Sequence, residues 1–273
     1  MNDTPPKRQI GADAPAAPLE FARIDFTDPQ NPRSLIYPDI YFSASGLREE
    51  TLHTFIRGNN LKARLEDASE QRRDGSQTPA VFTIAETGFG TGSNLIVLLE
   101  AFRDLLKRGR IRLRYVSFEK HPLTLEDMKK AQDAFCLDHQ IAGMMLEAYA
   151  GLDFAKPATG FDLPDLHTQV NLYLGDIRDR LPEFAGNWRH AVNAWFLDGY
   201  SPSCNGDLWN DDLYRAMAKT AAGDCTLATF TVSGRVRRGL AAAGFAIQKR
   251  PGYGSKREMT VGRIADAGDG REG

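Results

Sequence analysis

Short apolar runs alternate along the chain with longer stretches in which apolar residues recur every three or four positions. The short runs predict β-strands, because strands are brief and bounded by turn residues, and the longer stretches predict α-helices. The predicted strands span 81–85, 112–118, 170–173, 194–197, 226–231, 245–249 and 258–264. The predicted helices span 47–56, 125–135, 211–222 and 234–243, with a further helix from Asn94 onward. Residues 137–168 predict only a mixture of helix and loop.

The alternation of strands and helices predicts an α/β fold with a mostly parallel sheet of seven strands and helices on both faces. The last two strands are joined by a turn at 250–255, which predicts a C-terminal β-hairpin. Residues 19–78 are expected to form a small N-terminal extension to the domain at 79–264. The segments 1–18 and 265–273 are expected to be disordered tails.

The length and composition of the chain restrict the kinds of protein that it can be. The 273 residues suffice for one domain with a large core, and 26% charged and 42% hydrophobic residues are typical of a soluble globular protein. The three cysteines form no Cys-x-x-Cys pair and none of the five histidines lies in a metal-like cluster, so we expect no metal site and no disulfide framework. No apolar stretch of 18 residues occurs, so we expect a cytoplasmic protein that does not enter a membrane.

A glycine-rich turn follows the first predicted strand of the domain. The strand ends at Glu86, the turn contains Gly88, Gly90 and Gly92, and a helix follows from Asn94. Rossmann-type folds hold nucleotide-like ligands with this order of elements, but the spacing is tighter than that of dinucleotide binders and no Walker lysine follows. The acid suits a ligand with a cationic amino-acid end and no phosphate, which favours S-adenosylmethionine (SAM). The alternative is a glycine-rich turn in some other α/β protein.

Four predicted strands end on or just before an acid, at Glu86, Glu119, Asp176 and Asp198. Ligands of open α/β sheets bind outside the carboxyl ends of the strands, where these acids would meet. Glu119 is placed to accept the ribose hydroxyls, as it would for NAD, and Asp176 to accept from the adenine amino group. Glu86 and Asp198 lie nearer the amino-acid end, and Asn94 is placed to bind the methionine carboxylate at a helix N-terminus. Alternatively, such acids only cap helices.

The predicted seven strands, mostly parallel and ending in a hairpin, describe the fold of class I SAM-dependent methyltransferases, which is Rossmann-like. The predicted cofactor-binding residues are Glu86, Gly88, Gly90, Gly92, Asn94, Glu119, Lys120, Asp176 and Asp198.

The segment 198–202 is the predicted site of chemistry, with Asp198 and Tyr200 as the catalytic residues. An amine must be neutral to attack a sulfonium methyl group, and a carboxylate can orient it and accept its proton. An aromatic ring can pack against the target and favour the cation that forms. The competing interpretation is a loop in which Pro202 only ends the strand.

Positive charge is concentrated near the C-terminus. Residues 235–258 carry a net charge of +6, which leaves −8 for the rest of the chain. A basic face of this kind suits an acidic partner such as RNA, although a solvated helix face and hairpin would show the same pattern. The predicted RNA-binding residues are Arg237, Arg238, Lys249, Lys256 and Arg257.

The chain resembles one family closely, the methyltransferase domain of the tRNA 5-methylaminomethyl-2-thiouridine biosynthesis proteins, MnmC. The similar stretches are 40–43, 85–92, 117–120, 195–199, 227–231, 236–240, 243–245, 248–250 and 256–259. Three positions depart from the family. Ser93 stands where a larger apolar residue is frequent, Cys204 where a lysine is common, and Tyr200 where a phenylalanine occurs.

The resemblance implies methylation by SAM of the aminomethyl group of 5-aminomethyl-(2-thio)uridine at the tRNA wobble position, giving 5-methylaminomethyl-(2-thio)uridine. Two-domain members of the family also carry an FAD-dependent oxidase that acts first, and this chain stops before such a domain would begin. It is therefore expected to perform only the second step. The implied partners are the anticodon stem-loop of tRNA and, functionally, a separate FAD-dependent oxidase or the upstream wobble-uridine modification enzymes.

Other functions remain open on the residues alone. A class I methyltransferase for a small amine or a protein would share the SAM site without needing the basic C-terminal segment. A non-catalytic tRNA-binding module would keep the fold without binding SAM. A NAD-dependent oxidoreductase is disfavoured by the spacing of the glycines.

Overall fold

The computed structural model describes residues 19–37, 40–41, 43, 46–71, 78–134, 138–199, 206, 208–254 and 256–265. The helices are α1 (Leu47–Thr51), α2 (Leu61–Glu70), α3 (Ser93–Lys107), α4 (Leu125–Ala134), α5 (His139–Ala150), α6 (Ile177–Asn187), α7 (Asp211–Thr220) and α8 (Gly234–Ala242), with a π-helix at Leu52–Arg57 and a 3-10 turn at Pro164–Leu166. The strands are β1 (Ile24–Asp25), β2 (Arg33–Ser34), β3 (Ala80–Glu86), β4 (Ile111–Glu119), β5 (Ala158–Leu163), β6 (Thr168–Leu174), β7 (Val192–Phe196), β8 (Ala221–Thr229), β9 (Phe245–Pro251) and β10 (Glu258–Ile264). The predicted tails lie outside the described residues, apart from Ala265.

The main sheet confirms the predicted α/β architecture. Its strand order is β5-β6-β4-β3-β7-β8-β10-β9, and the five strands from β6 to β8 pair in parallel. β10 runs antiparallel to both β8 and β9, which confirms the C-terminal hairpin. The chain leaves β3 in one direction towards β4 and β6 and later returns to β7 on the other side. The ends of β3 and β7 therefore meet at a topological switch point, where such sheets bind ligands.

The predicted count of seven strands is wrong, because the main sheet has eight. The additional strand is β5, which lies within the weakly predicted region 137–168 and pairs antiparallel with β6 at the edge of the sheet. Only Leu163 of β5 is buried, so the apolar signal that marks an interior strand is missing. The same region contains α5, whose first turn is capped by the Asp138 side chain accepting from the Ile141 N–H at 3.0 Å.

The boundary between α7 and β8 also differs from the prediction. The helix ends at Thr220 and the strand begins directly at Ala221, whereas a helix to residue 222 and a strand from residue 226 were expected. Gly223 and Asp224 are exposed within the first half of β8. That half consequently lacks the apolar run by which a strand is recognised.

Helices cover both faces of the sheet, as predicted. One face packs against α1 to α5 and the π-helix, and the other against α6, α7 and α8. Burial on both faces explains the nearly continuous apolar runs of the central strands. The largest fully buried side chains include Trp195, Trp209, Tyr115, Tyr149, Tyr214, Phe118, Phe184 and Phe196. Within the described ranges, no helix is long and apolar enough to cross a membrane.

The segment predicted as an N-terminal extension shares one hydrophobic core with the sheet. Its predicted helix at 47–56 is present as α1 followed by the π-helix, and Phe55 stacks on Phe196 of β7 with ring centroids 5.0 Å apart. A Cβ at Gly58, directly after the π-helix, would lie 2.8 Å from the Ala228 Cβ of β8 and 2.0 Å from the Thr54 carbonyl oxygen of the π-helix itself. Glycine at this position therefore allows α1 to lie at the carboxyl edge of the sheet.

Candidate active site

A cavity of about 490 Å³ lies outside the carboxyl ends of the parallel strands, a volume typical of small-molecule sites. Its walls come from the glycine turn, from the ends of β4 and β7, from α1 and from the hairpin turn. The polar and charged lining residues include Glu50, Thr51, Thr87, Asn94, Glu119, Lys120, Asp176, Asp198 and Lys256. Most of the predicted cofactor-binding residues thus line this one cavity, although they come from different parts of the sequence.

The glycine turn has the geometry that the sequence suggested at two of its three glycines. Gly90 has φ 51° and Gly92 has φ 70°, whereas Gly88 is outside this left-handed region. Gly88 and Gly90 line the cavity. Gly92 is buried beneath the turn, where a Cβ would lie 2.7 Å from the Met145 Cε. Its visible contribution is to the shape of the turn, and contact with a cofactor stays a prediction for all three.

Glu119 lies at the end of β4 and holds the glycine turn in place. Its Oε2 accepts from the Gly90 N–H at 2.7 Å and its Oε1 accepts from the His121 N–H at 2.9 Å. Burial raises the pKa of Glu119, and these backbone N–H groups only partly offset that effect. Each oxygen keeps a second lone pair, so the carboxylate retains the capacity to accept ligand hydroxyls.

Asp176 is a helix cap, which was the alternative interpretation, and its contact with an adenine amino group stays a prediction. It is the N-cap of α6, accepting from the Arg178 N–H at 3.0 Å, and it also lines the cavity. The Arg178 guanidinium and the Lys120 ammonium, whose Nζ is 3.0 Å away, hold the pKa of Asp176 well below its usual range. Asp176 is therefore a fixed anion, and Lys120 contributes to the site through it.

A buried polar network joins the ends of β3 and β7 through Asn94. The Asn94 Nδ2 donates to Glu86 Oε1 at 2.8 Å and to Asp198 Oδ2 at 2.7 Å, and its Oδ1 accepts from the Thr51 hydroxyl at 2.8 Å. Ser117 donates from β4 to Glu86 Oε2 at 2.9 Å. Asn94 was predicted to bind a ligand carboxylate, and in the structure its amide orients two protein carboxylates.

The two carboxylates of this network have different surroundings. Glu86 is 1% exposed, and burial together with the nearby Asp198 charge raises its pKa well above the ordinary value. Asp198 is half-buried and lines the cavity, and its Oδ1 accepts from the Gly199 N–H at 2.8 Å. Burial also raises the pKa of Asp198, against the hydrogen bonds from Gly199 and Asn94. Glu86 is therefore the internal member of the pair, and Asp198 is the member that faces the cavity.

Sequence reasoning missed the part of the site that the extension supplies. Glu50 and Thr51 of α1 line the cavity, as does Tyr41. The missed residues also include Phe230, which follows β8. No spacing signal links α1 to the glycine turn, because the segments meet only in the folded chain. Tyr200, predicted as catalytic, lies outside the described residues, as does Cys204.

The predicted RNA-binding residues are divided between the cavity and the surface. Lys256 lines the cavity and forms an ion pair with Glu50. Lys249 pairs with Glu258 across the hairpin at 2.7 Å. Arg237 donates to the Val232 carbonyl at 3.2 Å. The remaining two, Arg238 and Arg257, are exposed.

In the described part of the chain, no group of three or more His, Cys, Asp or Glu residues is placed to hold a metal ion.

A family model described as S-adenosyl-L-methionine-dependent methyltransferase matches residues 139–265. The match covers just under half of the chain. The predicted class I fold and the predicted cofactor, SAM, are both confirmed.

Two curated proteins that this chain is similar to are the tRNA 5-methylaminomethyl-2-thiouridine biosynthesis bifunctional proteins MnmC of Pseudoalteromonas atlantica and Vibrio cholerae. Each is 38% identical over 253 residues, and the alignments cover 90% and 91% of this chain but 34% and 36% of the relatives. The chain spans about a third of the length of these relatives. The crystal structure of MNMC2 from Aquifex aeolicus matches with a TM-score of 0.65 at 23% identity, covering 92% of this chain and 72% of that one, which shows a shared fold.

Proposed function

We propose that this methyltransferase methylates the aminomethyl nitrogen of 5-aminomethyl-(2-thio)uridine at the wobble position of tRNA. The observation that carries the proposal is Asp198, a carboxylate on the cavity wall whose two oxygens are fixed by Asn94 and Gly199. Similarity to the MnmC proteins over 90% of the chain supports the identity of the acceptor. We also infer a cytoplasmic location, since that is where a tRNA acceptor is met, and a separate FAD-dependent oxidase or upstream wobble-uridine enzymes as the suppliers of the substrate.

The acceptors in the cavity suit the adenosine end of SAM. Glu119 and Asp176 supply acceptors for ribose hydroxyls and an adenine amino group, and the Gly88 to Gly90 backbone borders the space between them and Asp198. SAM, when bound, supplies an electrophilic methyl group. The protein contributes alignment, since holding the acceptor amine in position removes much of the entropic part of the barrier. Thr87 fixes the backbone of the acceptor side by donating its hydroxyl to the Asp198 carbonyl.

Asp198 is the group proposed to prepare the amine. An alkylammonium has no lone pair for attack, so a proton must leave before the nitrogen reacts. The Asp198 carboxylate is placed to accept that proton and to orient the neutral amine. Its raised pKa makes it a better proton acceptor than an ordinary aspartate, while the Asn94 amide keeps it in one orientation.

The carboxyl edge of the sheet supports an RNA-binding face. β9 ends and β10 begins at this edge, because β10 is antiparallel to β8, and the turn between them carries Lys256 and Arg257. α8 starts at the same edge and carries Arg237 and Arg238. Positive charge thus lies along the same edge of the sheet as the cavity, and we expect phosphates flanking an inserted nucleotide to bind there.

The deciding experiment incubates the purified chain with methyl-labelled SAM and tRNA carrying aminomethyluridine, with tRNA carrying unmodified wobble uridine as the control. We expect label in the modified tRNA alone, recovered as the methylaminomethyl nucleoside by mass spectrometry. No incorporation by folded protein that binds SAM in calorimetry would contradict the proposal. Absence of SAM binding as well would point to a non-catalytic RNA-binding module.

A salt titration tests the RNA face separately. Arg237→Ala/Arg238→Ala should weaken tRNA binding and reduce the slope of log K against log salt by about one for each phosphate that the variant no longer neutralises. The matched control is Lys107→Ala/Arg112→Ala, which removes the same charge from exposed positions at the opposite edge. An equal slope in both double variants would favour a small amine or a protein as the substrate.

A further inference from the structure

Two side chains of the cavity lining, Glu50 and Phe230, meet the ammonium group of a third, Lys256. The Lys256 Nζ forms an ion pair with Glu50 Oε1 and lies 4.6 Å from the centroid of the Phe230 ring. All three residues line the same cavity as Asp198. They come from α1, from the end of β8 and from the hairpin turn, so the cluster exists only because the tertiary fold brings these segments together.

A carboxylate beside an aromatic face is the combination that binds a primary alkylammonium. The carboxylate accepts charge-assisted hydrogen bonds from the N–H groups, and the negative face of the ring attracts the cation. The lysine ammonium is itself a primary alkylammonium. The Glu50 and Phe230 side chains therefore already hold a group with the chemistry of the protonated aminomethyl substituent of the proposed substrate.

We propose that Glu50 and Phe230 form the subsite that receives the substrate as its ammonium ion, and that the Lys256 ammonium fills this subsite until tRNA binds. The inference rests on the proposed function. Lysine suits the role of a displaceable occupant, since its charge is carried on a flexible four-carbon stem. The side chain is 45% exposed, so it has an open path out of the subsite.

In this proposal two carboxylates have different roles, one in binding the ammonium ion and one in accepting its proton. Glu50 holds the ammonium ion, and Asp198, on the cavity wall, takes one proton from it. The proton passes from nitrogen to carboxylate, giving a neutral amine and a neutral carboxylic acid, so charge and atoms balance without another reactant. The displaced Lys256 ammonium is then available to a phosphate of the bound RNA, which would couple occupancy of the subsite to docking of the tRNA backbone.

The test compares the dissociation constants for tRNA with unmodified wobble uridine and tRNA with aminomethyluridine, in the presence of S-adenosylhomocysteine so that no turnover occurs. The ratio of the constant for unmodified tRNA to the constant for aminomethyluridine tRNA isolates the contribution of the amine, and a larger ratio means a stronger preference for the amine. We expect Glu50→Gln to reduce the ratio about tenfold, since a charged acceptor is replaced by a neutral one, with little change in affinity for unmodified tRNA. Phe230→Leu should reduce the ratio less. Glu49→Gln, on the exposed neighbour in α1, should leave the ratio unchanged.

Lys256→Met distinguishes an occupying lysine from a structural ion pair. Removing the occupant should increase the ratio, while affinity for unmodified tRNA falls because a phosphate partner is removed. A decreased ratio in this variant, or an unchanged ratio in Glu50→Gln, would overturn the subsite. Failure of the proposed function would instead show in the wild type, which would then not discriminate between the two tRNAs. Calorimetric SAM binding by each variant verifies that its site is folded.

Discussion

The Asn94 side chain lies 2.7 Å from Asp198 and holds that carboxylate at the wall of the cavity. The same amide nitrogen contacts Glu86 at 2.8 Å, so one residue at the start of α3 spaces two acids from neighbouring parallel strands. Thr51 completes the link by donating to the Asn94 oxygen from α1. The buried Glu86 and the cavity-facing Asp198 can lie next to each other because these hydrogen bonds compensate for part of the desolvation of each carboxyl group.

Asp198→Ala should abolish most of the methyl transfer. Loss of a positioned proton acceptor costs about a hundredfold or more in rate, whereas the groups that face the adenosine end are untouched. We therefore expect a fall of that size in kcat with a SAM dissociation constant within about threefold of the wild type. Asp212→Ala, at an exposed acid of α7, is the control. An equal loss of SAM affinity would show that Asp198 serves the cofactor and not the acceptor.

Glu86→Gln should stabilise the protein, and more so at higher pH. Because the pKa of Glu86 is raised in the folded state, the folded chain holds the proton more tightly than the unfolded chain. Stability of the wild type therefore falls as pH rises from the unfolded-state pKa, about 4.3, through the raised folded-state pKa. The neutral glutamine removes this loss.

Urea unfolding across the pH range checks the Glu86 prediction. The free energy of unfolding of Glu86→Gln minus that of the wild type should grow as pH rises above about 4.3 and level off once Glu86 is ionised. Glu183→Gln, at an exposed position of α6, should show no such growth. A difference that is constant with pH would mean that Glu86 is ionised as readily in the folded chain as in the unfolded one.

Glu119→Gln should weaken SAM binding without blocking folding. The substitution removes a charged acceptor from the adenosine end and turns an N–H group towards the backbone donors of Gly90 or His121. We expect the SAM dissociation constant from calorimetry to rise about tenfold or more. Glu126→Gln, at an exposed residue of α4, is the matched control. Unchanged affinity in Glu119→Gln would exclude this residue as the acceptor for the ribose.

Gly58→Ala and Gly143→Ala should change stability in opposite directions. A Cβ at Gly58 meets the Ala228 side chain and the Thr54 carbonyl, so the alanine should cost about 1–3 kcal/mol or displace the π-helix. A Cβ at Gly143, in α5, meets nothing within 4 Å, so that alanine should stabilise by about 0.5–1 kcal/mol through helix propensity. Urea unfolding measures both. Equal effects would contradict the close passage of the π-helix over β8.

The order of apolar runs, helical patterns and turns along the chain was enough to predict the parallel sheet and the hairpin. The same order predicted that the acids lie at one edge of the sheet. Glu86, Glu119 and Asp198 each follow an apolar run, and parallel strands place such residues at one edge whatever the details of packing. The glycine turn was readable for the same reason, since φ above zero at Gly90 and Gly92 is a local demand on the backbone.

The tertiary structure alone decided which side chains meet. β5 escaped prediction because an exposed edge strand needs no apolar run, and α1 gave no sign of its place at the cavity. The pairing of Lys256 with Glu50 joins residues from opposite ends of the chain, and the Asn94 amide faces protein carboxylates although its position suited a ligand. Periodicity reports which face of an element is buried, whereas contacts between distant segments depend on how the faces pack together, and that information is not local to any stretch of the sequence.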